Sequence, residues 1–144
     1  MSFLPKATIT HSIRNREHLV QATELAQTNH RISAAIRFLR DNLSLESSPE
    51  SIAIKVGLST SRLCSLFKET TGLSLGKYTK LLRLETARDL FETGFPAVQE
   101  VMCKVGIHDP SHFNRDFKNA YGVTPAKYRD RRSEPSLNLG IVSE

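Results

Sequence analysis

The side chains best suited to chemistry in this sequence are hydrogen-bonding and cationic groups that recur at helical spacing in two short segments. The first segment offers Ser61, Arg62, Ser65 and Lys68, and the second offers Ser111, His112, Asn114, Arg115 and Lys118. Arginine can form paired hydrogen bonds with guanine, asparagine can form them with adenine, and serine can bind base edges or phosphates. Both segments could therefore recognise nucleic acid, and the second has the richer chemistry.

An amphipathic helix in each segment would place these groups on one face. Leu63 and Phe67 form the apolar stripe of the first segment, and Phe113 and Phe117 form that of the second. At about 100° per residue, the groups that point directly outward are Ser61, Ser65 and Lys68, then Ser111, Arg115 and Lys118, while Arg62, Cys64, His112 and Asn114 flank them. The alternative is a polar face that is merely solvated.

The two segments belong to an internal repeat. Residues 55–58 (KVGL) reappear 49 residues later as residues 104–107 (KVGI), and beyond that point the offset becomes 50. The matched pairs are then Leu63 and Phe113, Phe67 and Phe117, Lys68 and Lys118, Gly72 and Gly122, Ser74 and Thr124, and Tyr78 and Tyr128. The inserted residue falls in a turn, where changes of length are tolerated. Such duplication is hard to explain by solubility alone.

Helix start and stop signals show what must position the polar faces. Ser59 and Asp109 suit N-cap positions, Pro110 suits a first helical turn, and Gly57 and Gly72 suit C-terminal stops. Each copy is thus a helix, a glycine-containing turn and a second helix, which is the helix-turn-helix motif. We predict an all-α fold of two helix-turn-helix subdomains, each a homeodomain-like three-helical unit, joined by a long connector helix.

The predicted organisation has a leader (1–30), a core domain (31–132) and a disordered tail (133–144). In the leader, segment 14–28 could add one helix through Leu19, Ala22 and Ala26. Within the domain, we expect the first helix-turn-helix at about 49–73, the connector at about 74–93, the second helix-turn-helix at about 97–122 and a final helix at about 124–132.

The charge balance favours a polyanionic partner. Residues 31–132 hold 17 Lys and Arg against 11 Asp and Glu, an excess of six positive charges. Such an excess suits DNA, because each neutralised phosphate releases counterions. Charge alone does not establish the partner, since many basic proteins bind nothing acidic.

Several classes of protein are disfavoured. The sequence has no apolar run long enough for a membrane span and no secretory signal, so we expect a cytoplasmic protein without a membrane partner. Cys64 and Cys103 lack the spacing of a disulfide framework or zinc site, and we expect no metal and no cofactor. His108, Asp109 and His112 suit a helix start better than a catalytic site. We therefore expect no enzyme.

Helical pairs also build protein-interaction modules. A module that docks on RNA polymerase or another regulator, without DNA affinity of its own, is the main alternative to a DNA-binding protein. Armadillo-like and tetratricopeptide arrays need three or more repeats to form a continuous core, whereas only two copies occur here. Steep salt dependence of DNA binding would count against the alternative.

The repeated residues resemble the DNA-binding domain of the AraC/XylS family of transcription regulators over approximately residues 31–132. The motifs of the first copy and the connector are Ala53-x-x-x-Gly57-x-Ser59, Leu66-Phe67-Lys68 with Gly72, and Arg83-Leu84 with Ala87. Those of the second copy are Val105-Gly106, Asp109, Ser111, Phe113-Asn114-Arg115, Phe117-Lys118, Gly122-Val123-Thr124-Pro125 and Tyr128-Arg129. Met102 and Ile107 depart from the small and aromatic residues that the family commonly has there. The small side chains of Cys64 and Ser65 predict weaker base readout by the first copy.

The resemblance implies a seven-helix domain whose two recognition helices enter adjacent major-groove segments of double-stranded DNA near a promoter. It also implies contact with RNA polymerase and activation of transcription. Of the contact residues that the resemblance implies, Arg115 is the one that we most expect to bind DNA. Most members carry a separate effector-binding or dimerisation domain, which 30 leading residues cannot form, so we expect no small-molecule effector site in this chain. A stub of a longer regulator and a complete small regulator remain equally open.

Overall fold

The computed structural model describes residues 6–27, 29–44, 47–94 and 97–133, and within these ranges it contains eight helices and no strand. The helices are α1 (Lys6–Ala26), α2 (His30–Asp41), α3 (Pro49–Val56), α4 (Thr60–Thr71), α5 (Leu75–Glu92), α6 (Val98–Val105), α7 (Pro110–Tyr121) and α8 (Pro125–Ser133). The predicted all-α fold class is confirmed.

The first and last described helices both extend beyond the sequence-based expectation. Helix α1 begins at Lys6, earlier than the predicted segment 14–28. No glycine or proline interrupts this helix between Lys6 and Ala26, where it ends. Ser133, the first residue of the predicted disordered tail (133–144), is instead the last residue of α8, and the rest of that tail lies outside the described residues.

The chain forms two compact units that divide within α5, between Arg83 and Leu84. We call residues 13–83 the first unit and the part of the chain from residue 84 onward, together with residues 6–12 at the start of α1, the second unit. Because the division falls inside one continuous helix, each unit takes half of α5 as part of its own core.

The first unit is built on the mutual packing of α2, α3 and α4. Side-chain caps define where two of these helices begin: Asn29 Oδ1 accepts from the Arg31 and Ile32 N–H groups, and Ser48 Oγ accepts from the Ser51 N–H. These bonds satisfy donors that the helix itself leaves free. The buried core of these helices includes Ile32, Leu39, Ile52, Leu63 and Phe67.

The part of α1 from residue 13 onward belongs to the first unit. Leu19, Ala22 and Ala26 are buried at helical spacing, as expected for one apolar face. Thr23 Oγ1 lies 2.9 Å from the hydroxyl of Tyr78, which also accepts from Arg40 Nη2 at 3.3 Å. The buried tyrosine of α5 is thus tied to both α1 and α2.

In the second unit, α8 contacts both α6 and α7. Phe117 lies at the centre of an aromatic cluster, with ring centroids 4.7 to 5.9 Å from those of Phe91, Phe113, Tyr121 and Tyr128. Edge-to-face and tilted contacts of this kind add to the stabilisation from apolar burial. The rings fix the register of α7 against α5 and α8.

The first helix of each helix-turn-helix motif ends at a glycine whose backbone φ is positive. Gly57 has φ 74° and Gly106 has φ 78°, both in the left-handed region that favours glycine. Their N–H groups, and those of the residues that follow them, donate hydrogen bonds to carbonyl oxygens of the preceding helical turn. The turn leading to α4 and the turn leading to α7 therefore start from equivalent geometry, as the repeat predicts.

Candidate nucleic-acid interface

Helix α4 presents the polar residues predicted from the first copy of the repeat. It begins where Ser59 Oγ accepts the Arg62 N–H at 3.1 Å, and it ends at Gly72, whose φ is 84°. Leu63 and Phe67 are completely buried, which orients the opposite face outward. The residues exposed on α4 include Ser61, Arg62, Ser65 and Lys68, together with Cys64 and Glu69.

Helix α7 does the same for the second copy. Asp109 caps its first turn, Pro110 occupies the first helical position, and Phe113 and Phe117 face the core. The exposed residues on α7 include Ser111, His112, Asn114, Arg115 and Lys118, with Asn119 beside them. Each predicted set therefore lies on one helix and is open to a ligand.

The exposed face of α7 has chemistry that the sequence analysis missed. Asp109 Oδ1 accepts from the Ser111 N–H at 3.0 Å and from the His112 N–H at 3.3 Å. Its other oxygen, Oδ2, lies 2.8 Å from His112 Nδ1. The backbone hydrogen bond from His112 is the main cause that holds the pKa of the Asp109 carboxyl below its usual value. The spacing of an acid and a histidine three residues apart was the signal in the sequence.

Arg115 keeps its capacity to bind a ligand. Its Nε lies 3.7 Å from Asp116 Oδ1, and about three fifths of its side chain is exposed. A contact of this length at a solvent-exposed site restrains the side chain only weakly. The guanidinium can therefore turn toward a base edge or a phosphate.

An open surface groove of about 610 Å³ lies beside α4 and is lined in part by Cys64, Ser65 and Lys68. Two of these three residues belong to the predicted interface, so the groove borders the exposed face of α4. Among the described residues, no group of three or more His, Cys, Asp or Glu side chains could hold a metal ion. No helix in that part of the chain is both long and apolar enough to span a membrane.

A family model described as a helix-turn-helix domain matches residues 52–131, more than half of the chain. The chain belongs to the AraC family of transcription regulators. The matched region begins in α3 and ends in α8, so it includes both motifs and the α5 helix that connects them.

Curated relatives support membership of the AraC family. The chain is 30% identical over 114 residues to the HTH-type transcriptional activator RhaR of Pectobacterium atrosepticum, covering 79% of this chain and 40% of RhaR. It is 35% identical over 78 residues to the Msm operon regulatory protein of Streptococcus mutans, covering 54% of this chain and 28% of that protein. The chain therefore spans well under half the length of these two relatives.

Solved structures agree with the fold. An AraC-type regulator from Chromobacterium violaceum superposes with a TM-score of 0.66 at 28% identity, covering 76% of this chain and 98% of that one. The C-terminal domain of the response regulator AraT from Geobacillus stearothermophilus gives 0.64 at 27% identity, covering 72% and 86%. The resemblance to the AraC family and the expectation that the chain is no enzyme are confirmed, because the family and these relatives are DNA-binding regulators.

Proposed function

We propose that this chain is a sequence-specific, DNA-binding activator of transcription whose helices α4 and α7 enter two adjacent major-groove segments near a promoter. The observation that carries the proposal is duplication: each unit holds one helix with a fully buried apolar stripe and an exposed face of hydrogen-bonding and cationic side chains. A helix presented in this way fits the width of the major groove. We assign the DNA-binding domain to residues 31–132.

The proposed contacts divide into base readers and phosphate binders. In the second unit, Arg115 suits guanine, Asn114 suits adenine, and Ser111 and His112 can bind base edges. In the first unit, Arg62 is the strongest candidate reader, and Ser61 and Ser65 are weaker ones. Lys68 and Lys118, which occupy equivalent exposed positions, are proposed to bind phosphates.

The proposed sign of regulation rests on the relatives. RhaR is named a transcriptional activator, and the Msm protein is named an operon regulatory protein. Activation at a promoter commonly involves contact with RNA polymerase, and we propose that polymerase is the protein partner of this chain. A regulator of bacterial promoters acts in the cytoplasm, where the chromosome lies.

Selection of bound duplexes from a random DNA pool tests the function directly. We expect an asymmetric site of about 20 base pairs with two blocks about one helical turn apart. The selected duplex should bind much more tightly than a scrambled duplex at each of two salt concentrations. Failure to enrich any sequence, with only weak salt-sensitive binding, would favour a protein-interaction module instead.

The two lysines provide a second arm of this experiment. Lys118→Ala and Lys68→Ala should each weaken binding to all sequences about equally and lower the slope of log K against log salt by about one unit. Arg37→Ala is the matched control, because Arg37 is an exposed cation on α2, outside both recognition helices. An unchanged slope in a lysine variant would show that this lysine faces solvent in the complex.

A further inference from the structure

The Asp109–His112 pair joins a helix cap to a side chain on the proposed reading face. One carboxylate oxygen accepts two backbone N–H groups, and the other lies 2.8 Å from His112 Nδ1. The carboxylate is therefore held by the backbone of α7 and in turn holds the imidazole. This fixes the ring more firmly than a free exposed histidine would be fixed.

Of the two capped recognition helices, α7 in the second unit has this pair and α4 in the first unit does not. The equivalent cap in the first unit is Ser59, and the residue three positions later is Arg62. The Ser59 hydroxyl accepts the Arg62 backbone N–H at 3.1 Å. A single hydroxyl engaged with the backbone has no second oxygen with which to hold a side chain.

The contact determines which ring nitrogen carries hydrogen. An ionised carboxylate only accepts hydrogen bonds, so the nitrogen beside it must donate. In the neutral imidazole, Nδ1 then carries the hydrogen and Nε2 is left as an acceptor. In the major groove, adenine N6 and cytosine N4 are donors, whereas guanine O6 and thymine O4 are acceptors.

We propose that Asp109 is a positioning residue that makes the neutral imidazole of His112 a selective reader of amino-bearing bases, adenine or cytosine, at one position of the DNA site. This inference rests on the proposed DNA-binding function of α7. It assigns Asp109 two roles, since the same carboxylate caps the start of α7 and determines which nitrogen of His112 donates a hydrogen bond. Guanine and thymine are disfavoured because their oxygens would face the Nε2 lone pair.

Asp109→Asn is the decisive variant because it keeps the size and the cap but changes the partner of the ring. The amide oxygen can still accept the backbone N–H groups, since asparagine is as good an N-cap as aspartate. The amide nitrogen would donate to Nδ1, which moves the ring hydrogen to Nε2. His112 would then donate, and the preferred bases should change to guanine or thymine.

The experiment uses the full chain at pH 8.5, where an imidazole is ordinarily neutral. Selection with the wild type and with His112→Ala first finds the position that His112 reads, as the one whose preference disappears. At that position we expect the wild type to favour adenine or cytosine by about fivefold, the effect of one hydrogen bond. Asp109→Asn should reverse the preference, and Asp109→Ser, which copies the cap of the first unit, should abolish it.

Two further measurements separate this inference from the proposed function. Long-range proton–nitrogen NMR spectra of the DNA-free chain should show the hydrogen on Nδ1 in the wild type and on Nε2 in Asp109→Asn, independently of DNA binding. The reversal should also vanish when Asp109→Asn is combined with His112→Ala. If the wild type selects a site but Asp109→Asn keeps its base preference, the inference is wrong and the function stands. If the wild type selects no sequence, both fail.

Discussion

The two units repeat the same helical pattern but are stabilised by different interactions. Phe67 and Phe117 occupy matched positions, and their rings meet the matched tyrosines Tyr78 and Tyr128 at 5.4 and 5.6 Å in edge-to-face contacts. In the second unit, three more rings contact Phe117, and one of them, Phe113, replaces an aliphatic Leu63. The same backbone pattern thus accepts either an aliphatic or an aromatic core.

The matched tyrosine hydroxyls also find different partners. Tyr78 is fully buried and reaches Thr23 of α1 and Arg40 of α2. Tyr128 is partly exposed and donates to Glu92, within the second unit. The first unit has therefore incorporated the later part of the leader helix into its core, so the two copies share a helical pattern but differ in their polar contacts.

The largest expected difference between the units concerns the two phenylalanines. Truncation of either to alanine should lower the free energy of unfolding by about 3 to 5 kcal/mol, through lost apolar burial and the cavity left behind. We expect Phe117→Ala to cost more than Phe67→Ala, because Phe117 contacts four rings of the described residues and Phe67 contacts one. Urea titration followed by circular dichroism measures both, and an equal loss would show that the extra rings repack.

The second comparison concerns the arginines on the two reading faces. Arg115→Ala should weaken binding to the selected duplex by about 1 to 3 kcal/mol and relax discrimination at one or two base pairs. Arg62→Ala should have a smaller effect, because the side chains around it offer fewer base contacts. Equilibrium titration against single-base-pair variants of the duplex tests this. If Arg62→Ala proves the more damaging, the first unit is the principal reader.

The tyrosine hydroxyls should differ by a smaller amount. Tyr78→Phe removes a buried group with two partners, so we expect a loss of stability of about 0.5 to 1.5 kcal/mol. Tyr128→Phe should lose less, because its bond to Glu92 is exposed to water. Thermal melting of both variants, with Thr23→Val as the matched removal of the α1 partner, decides whether α1 stabilises the first unit through this bond.

The smallest expected effect is the acid sensitivity of the two helix caps. The folded chain holds the pKa of Asp109 below its ordinary 3.8, chiefly through the His112 N–H. A lowered pKa means that the cap stabilises α7 fully above about pH 4 and loses this contribution as the pH falls through the folded value. Ser59 does not titrate, so α4 should not share the loss.

Amide NMR shifts of Ser111 and His112, followed from pH 6 to pH 2, should therefore change before that of Arg62. Asp109→Ser is the control, since it should make the start of α7 as insensitive to acid as the start of α4. Simultaneous changes at both helices would mean that global acid unfolding, rather than the cap, is being observed.

Much of the helical frame could be predicted from sequence. Ser59 and Asp109 as caps, and Gly57 and Gly72 as stops, act within a few residues of their own position, so their effect is visible in a local pattern. The exposed faces of α4 and α7 followed from the helical period once Leu63 and Phe67, with their repeat partners, were placed in the core. The roles of those faces in DNA binding remain predictions.

By itself, the sequence determined the helices from α2 to α8, the repeat and the family, because each depends on spacing along the chain. Tertiary structure decided which distant polar groups meet: Thr23 with Tyr78 across 55 residues, and Tyr121 with the buried Glu85 across 36. It also decided that Asp109 turns one oxygen to the backbone and the other to His112. Such pairings depend on helix packing and side-chain rotamers, which local spacing does not specify.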